Sequence, residues 1–180
     1  MVARRLDGHH SERRVRLAGV HRFSATTESE ALVAAPREDI WAAITDPAVL
    51  PKLTPLLRRI EADGDLWRWD LSRINVLGIV VDPSFTERMS FVSNERIEYT
   101  HEPPAGAHEW AGAEGSYRLT ERDGGTHLAI SITLSVELPL ARLAAPAVET
   151  VIRTSMAVTG SRFATNLDHH LGIRSGGPPV

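Results

Sequence analysis

Apolar positions along this chain begin in a strand-like stretch, take up a helical spacing, then alternate, and at the end return to a helical spacing. From Phe23 the stretch FSATTESEALVAA has the small, β-tolerant residues of a strand, and Pro36 then opens a helix with Arg37, Glu38 and Asp39 in its first turn. Proline at the first helical position forfeits no intrahelical bond, and the acids suit the positive end of the helix dipole. Ile40, Trp41 and Ile44 form its apolar stripe, and the helix is expected to stop at Thr45. Asp46 and Pro47 repeat the device, a carboxylate cap before a proline, and predict a second short helix through Val49, Leu50 and Leu53.

Beyond Leu57 the period is two. RRIEADGDLWRWDLSRI carries the turn Asp63-Gly64-Asp65 between alternating flanks, as a hairpin requires. Trp67, Trp69 and Leu71 share one face, Arg68, Asp70 and Ser72 the other. In VDPSFTERMSF the residues Val81, Pro83, Phe85, Glu87, Met89 and Phe91 share a parity, and Glu87 is the one acid in that row. Ile97, Tyr99 and His101 alternate with polar residues in RIEYTHE, before a Pro103-Pro104-Ala105-Gly106 loop. Gly112 and Gly115 in EWAGAEGSYRLTERD predict a bulge or a sharp bend. After the turn Asp123-Gly124-Gly125, the row Leu128, Ile130, Ile132, Leu134 and Val136 faces one way. These segments predict a meander of about six antiparallel strands, each with a single buried face.

From about Leu140 to Leu171 the helical spacing returns, with Leu143, Val148, Val151, Ile152, Ser155, Met156, Phe163, Leu167 and Leu171 near a period of 3.6. Pro146 is expected in a late first turn or at a kink, and Gly172 fits a stop. An amphipathic helix of that length must bury its stripe, and the inside of the sheet is the apolar surface large enough to take it.

Strand, two short helices, a run of antiparallel strands and one long terminal helix is an order that resembles the START-like or SRPBCC superfamily, the helix-grip fold. The stretches ALVAAPREDIWAAITDPAVLPKL, EGSYRLTERDGGTHLAISITL and MAVTGSRFATNLDHHL are similar to its bacterial branch, which includes polyketide cyclase/dehydrase-like proteins. The similarity covers about residues 24 to 173. It implies an α+β fold in which about seven strands curve around the C-terminal helix, and a cavity that holds a hydrophobic molecule such as a lipid, sterol or polyketide. A strongly bent sheet closed by one helix is hard to fill with side chains alone, which gives the same expectation a physical footing.

Composition narrows the chemistry. The chain has 180 residues, 42% of them apolar, enough for one domain with an ordinary core. It contains no cysteine, which excludes thiol nucleophiles, Cys-based zinc sites and disulfide frameworks. The apolar run Val76 to Val81 is far shorter than the roughly 20 residues of a membrane span, and no hydrophobic stretch follows Arg4 and Arg5 as in a secretory signal. A cytoplasmic protein is expected. Residues 1–22 carry six arginines against Asp7 and Glu12, whereas the remainder is net acidic. This predicts a basic, flexible arm (1–22), a ligand-binding domain (23–173) and a loose tail (174–180), the arm lacking the interleaved aromatic residues of a specific nucleic-acid binder.

The candidate ligand-binding residues are Trp67, Trp69, Phe85, Glu87, Tyr99, His101, Tyr117 and Met156. The aromatic members could stack on a flat ligand or could simply pack the core. Glu87 either reaches solvent at a strand end or lies desolvated, with its pKa raised. Glu87 and His101 could meet across adjacent strands as an acid/base pair, or satisfy one another structurally. The doublets His9-His10 and His169-His170 lack metal-ligand spacing, and no nucleotide fingerprint is present, so no metal or cofactor is expected. The leading expectation is binding of a small hydrophobic molecule. Two alternatives stand beside it: an aromatase/cyclase-like enzyme using Glu87, His101 and Tyr99 or Tyr117, and an interaction module whose basic arm docks a partner.

Overall fold

The first strand and the last lie side by side, so the beginning and end of the β-meander meet within one sheet. Strand β1, His21–Val33, pairs antiparallel with the final strand along its whole length, from His21 opposite Leu138 to Val33 opposite Thr126. The computed structural model describes residues 19–173. The proposed roles of the basic arm and of the tail fall mostly outside those residues.

Helix α1, Arg37–Ile44, starts directly after Pro36 and buries Ile40, Ala43 and Ile44. The second helix is shorter than its cap signal suggested. Asp46 Oδ1 accepts the Ala48 N–H at 2.7 Å, which shapes a turn, and α2 occupies only Leu50–Leu53. The meander follows as β2 (Leu57–Asp63), β3 (Leu66–Leu71), β4 (Ile74–Val76), β5 (Ile79–Val81), β6 (Ser84–Val92), β7 (Arg96–His101), β8 (Ala111–Arg122) and β9 (Gly125–Leu138). Seven strands form one antiparallel sheet in the order β1-β9-β8-β7-β6-β3-β2, while β4 and β5 make a separate hairpin. A short 3-10 turn, Arg142–Ala144, leads into the long helix α3, Ala145–His170. This is the helix-grip α+β architecture.

Two sequence expectations need correction. Val81 and Pro83 do not continue the row of Phe85, because the chain reverses at Leu77-Gly78 and the run Val76 to Val81 folds back on itself as the β4–β5 hairpin. Gly78 takes a left-handed φ of 88° there, and its N–H donates to Asn75 Oδ1 at 2.8 Å. The hairpin is not wasted apolar surface: Ile74, Val76, Ile79 and Val81 pack with Phe23, Val136, Val148 and Ile152 against the first half of α3. The second correction concerns the bulge alternative at Gly112 and Gly115: the register between β8 and β9 runs unbroken from Ala111 opposite Val136 to Arg122 opposite Gly125, so neither glycine marks a bulge in that pairing. They serve close approach instead, since a Cβ on Gly112 would lie 2.4 Å from the His101 ring, and one on Gly115 would lie 2.7 Å from the Tyr99 hydroxyl.

Pro146 sits in the first turn of α3, where its missing N–H costs no helical bond. The helix is fastened at both ends: Arg153 Nη1 donates to Thr26 O, and Asn166 Nδ2 donates to Leu53 O, each at 2.9 Å. Its buried stripe is Val148, Ile152, Phe163 and Leu167. Leu143, expected on that stripe, is 93% exposed because it belongs to the preceding 3-10 turn. Gly160 lies mid-helix with open space where a Cβ would go. Gly160→Ala should therefore stabilise the protein by about 0.5–1 kcal/mol, read as a raised denaturation midpoint with unchanged m-value. No change, or a loss, would mean that this stretch of α3 is not helical in solution.

Candidate functional site

Burial along the inner face of the sheet fails in the middle and returns at both ends. On β9 the residues Leu128, Val136 and Leu138 are buried, but Ile130, Ile132 and Leu134 between them remain partly exposed. Strand β8 repeats this: Ala111, Ala113 and Leu119 are buried, Gly115 and Tyr117 are not. On β1, Phe23, Ala25 and Val33 are buried while Thr27 is half-buried and Ser29 and Ala31 are exposed. The facing stretch of α3 shows the same interruption, with Ser155, Met156 and Thr159 half-buried between Ile152 and Phe163. The core accordingly divides into two apolar clusters. One gathers Phe163 and Leu167 with α1, α2 and the β2–β3–β6 side of the sheet, and the other gathers Val148 and Ile152 with the β4–β5 hairpin and the start of β1. Between them, Ile130, Ile132 and Tyr117 on the sheet and Met156 on the middle of α3 are only partly buried, and Ser29 and Ala31 of the edge strand β1 are exposed.

Polar groups sit on the inward rows of β6 and β7. Register places Glu87 of β6 between Trp67 of β3 and His101 of β7. Glu87 is 2% exposed, and among the described residues its Oε2 has no hydrogen-bond partner. Burial alone pushes its carboxyl well above the usual carboxylate range. Burial also raises the Tyr99 and Tyr117 phenols, with Glu87 adding to both shifts through its charge, so the three groups lie within electrostatic reach of one another. The Tyr99 and Tyr117 rings are 6.1 Å apart at 43°. Trp69 contributes a second orphan, since its Nε1 is buried without a partner.

His101 does not join them. Although it stands opposite Glu87 in register, its Nε2 lies 2.9 Å from Glu109 Oε2. Glu109 also accepts the Thr86 N–H at 2.8 Å and the Thr86 hydroxyl at 2.9 Å. The loop after β7 thus supplies its own carboxylate to close that end of the sheet, and His101 serves that closure. Trp67 and Phe85 are buried at 5% and 3% exposure, Trp67 stacking against Trp69 at 6.1 Å and Phe91 at 5.7 Å. Both belong to the larger apolar cluster. Of the sequence candidates, Trp69, Glu87, Tyr99 and Tyr117 lie on the inward rows of the sheet and Met156 on the half-buried middle of α3. Sequence reasoning missed Glu109, because nothing in a loop sequence tells which strand a carboxylate will reach, and it missed the open middle of the row from Ile130 to Leu134, because alternation predicts facing and not depth.

Two clefts open at the surface. One, about 530 Å³, is bordered by Arg37, Val92, Glu95, Arg96, Arg118 and Leu119, and the other, about 480 Å³, by Glu28, Ser29, Glu30, Arg118, Ile130 and Ser131. Both mix charged and apolar side chains. Among the described residues no cluster of three or more His, Cys, Asp or Glu is placed to hold a metal ion, and no helix is long and apolar enough to cross a membrane.

Comparison with known proteins agrees with this architecture. Among solved structures, an uncharacterised protein from Rhizobium leguminosarum superposes with a TM-score of 0.56 at 14% identity, over 83% of this chain and 98% of that one. The ZhuI aromatase/cyclase from Streptomyces sp. R1128 superposes with a TM-score of 0.61 at 15% identity, over 86% and 98%. The di-domain aromatase/cyclase StfQ of the steffimycin biosynthetic pathway gives 0.58 at 14% identity, over 86% of this chain and 53% of that one. Likeness at such identities speaks for the fold alone. No curated protein matches in sequence. The family model described as polyketide cyclase / dehydrase and lipid transport matches residues 24–167, and with that span covering nearly the whole described domain, the chain belongs to this family.

Proposed function

We propose that this protein binds a small, mainly apolar molecule in a hollow between the sheet and α3. The observation that carries the reading is the interrupted burial of the inner rows on β1, β8, β9 and α3, flanked on both sides by well-packed clusters. A chain selected only for packing gains by filling such a space, because each buried methylene contributes about 0.8 kcal/mol. Ile130, Ile132, Leu134 and Met156 offer apolar contact, while Tyr99 and Tyr117 give orientation through their hydroxyls. Family membership supports the same class of ligand, a lipid or polyketide-like molecule.

A second reading, cyclase- or dehydratase-like catalysis, is favoured by the convergence of Glu87, Tyr99 and Tyr117 near the same hollow. A carboxyl whose pKa burial raises and a pair of phenols are groups that could move a proton at a ligand carbonyl. That reading loses the His101 member of the acid/base pair, because Glu109 occupies it.

Binding is tested by thermal unfolding in the presence of a panel of fluorescent polyaromatic probes and fatty acids. A ligand that prefers the folded state raises Tm, by an amount equivalent to about 2.7 kcal/mol at a concentration 100 times its Kd. Ile132→Trp, which fills the hollow, should abolish the shift while leaving the unliganded protein folded. Absence of any shift across the whole panel would sink the proposal.

A further inference from the structure

Three arginines border one open cleft at the end of the sheet where β7 starts and α1 begins. Arg96, the first residue of β7, stands directly opposite Arg118 of β8, and Arg37, the first residue of α1, lines the same space of about 530 Å³. Like charges in facing positions on neighbouring strands cost stability. Nearby acids do little to relieve them. Arg37 lies 3.8 Å from Glu38 and Arg96 lies 3.5 Å from Glu98, both too far for a strong charge-assisted hydrogen bond, and among the described residues no carboxylate pairs with Arg118. Glu95 and Glu121 also border the cleft, yet neither forms an ion pair with any of the three arginines. We infer that this cleft is a second binding site, and that it takes the phosphate ester of a small polyol, such as a sugar phosphate. It goes beyond the apolar site proposed beneath α3 and does not rest on it.

Backbone hydrogen bonds hold the walls of the cleft. The Leu119 N–H donates to Glu95 O at 2.8 Å, which seats the β6–β7 turn on β8. The buried Thr126 hydroxyl donates to Ala35 O at 2.9 Å, which ties the entry of α1 to β9. The backbone that carries the three guanidinium groups is therefore fixed before any ligand arrives. A guanidinium presents its N–H donors in a planar fork that matches two phosphate oxygens, and it stays charged at any working pH. A doubly charged phosphate offsets the repulsion between Arg96 and Arg118, which a neutral guest would leave in force. A bare phosphate would also meet Glu95 and Glu121, and gain nothing from them. Carboxylates only accept and the hydroxyls of a polyol donate, so these two glutamates, with the Thr120 hydroxyl, suit the body of the ligand and not its phosphate. Val92, 39% exposed, offers contact to its carbon atoms. The cleft is of the size that small-molecule sites have, about 300–1,000 Å³.

The test titrates ribose 5-phosphate, ribose and inorganic phosphate by calorimetry and thermal unfolding at constant, low ionic strength. The sugar phosphate should bind at least about tenfold more tightly than inorganic phosphate and raise Tm, whereas ribose should leave Tm unchanged. Arg118→Gln should weaken the sugar phosphate at least about tenfold while raising the Tm of the unliganded protein, because it removes one member of the facing pair. Arg162→Gln, the same loss of charge at an exposed position of α3 outside the cleft, should change affinity by less than about twofold. Replacing Glu95 and Glu121 together by alanine should erase the preference over inorganic phosphate. The inference is overturned by no binding of the sugar phosphate, by equal affinity for it and inorganic phosphate, or by an Arg118→Gln effect no larger than that of Arg162→Gln. An unliganded Arg118→Gln protein less stable than the wild type would overturn it as well. Ile132→Trp should bind the sugar phosphate as the wild type does, so this site and the apolar one fail separately.

Discussion

Glu87→Gln is expected to stabilise the ligand-free protein at neutral pH and to leave its stability nearly unchanged at about pH 4, near the ordinary carboxyl pKa. Glu87 is enclosed by Trp67, Phe85 and Met89 and lacks a partner at Oε2, so its folded-state pKa is raised by burial. For such an acid the native state holds a proton that the unfolded chain releases. The wild type is therefore fully stable with respect to this group below the unfolded pKa, and it loses stability as pH rises from there through the raised folded value. Stability falls as pH rises through that window, so the glutamine variant, which has no such group to ionise, is expected to be the more stable of the two at pH 7. Urea denaturation of both proteins across this range reads the difference directly. A gap that stays constant with pH, or a glutamine variant less stable than wild type at pH 7, would place Glu87 in contact with solvent or with a cation and contradict the buried geometry.

Why Glu87 could be singled out from sequence, and its surroundings could not, follows from what each kind of signal encodes. Alternation fixes which way a side chain faces, because the strand period is two. It put Glu87 in the row of Phe85 and Met89, and the structure keeps it there. The same logic found the faces of β3, β7, β8 and β9 and the buried residues Val148, Ile152, Phe163 and Leu167 of α3, where a 3.6 period marks the stripe. Depth is another matter. Ile130 and Leu128 are indistinguishable by pattern, yet one stays partly exposed and the other is buried, since depth is set by the crossing of α3 and by the clusters at its two ends. Side-chain pairing across loops was equally hidden. His101 and Glu87 are cross-strand neighbours, as their parity suggested, but the Pro103–Gly106 loop brings Glu109 within 2.9 Å of the imidazole, and that competing partner decides the outcome. The β4–β5 hairpin was masked by its own composition, because Val76 to Val81 reads as one short apolar run until Leu77 and Gly78 take positive φ angles.

Gly115→Ala should be among the most damaging single-methyl changes in the protein, with a loss of about 3 kcal/mol and a fall in Tm of about 6–12 °C. The added Cβ would stand 2.1 Å from the carbonyl oxygen of Ser131 and 2.7 Å from the Tyr99 hydroxyl. The second neighbour is the far end of a side chain and can turn aside. The first is backbone of β9, held in an unbroken ladder with β8, and it can retreat only if the two longest strands of the meander part locally. Because β8 and β9 also carry Tyr117, Ile130 and Ile132, the same distortion should reshape the hollow and lower probe affinity, coupling a fold defect to a binding defect. The double variant Gly115→Ala with Tyr99→Phe separates the two contacts: relief of the hydroxyl alone should restore only a minor part of the stability, leaving the Ser131 conflict in force. A double variant as stable as Tyr99→Phe by itself would show that the β8–β9 ladder yields easily at this point. In that event Gly115 would be a mere accommodation for a phenol, and the close strand approach that holds Tyr99 beside Tyr117 would have to come from elsewhere in the sheet.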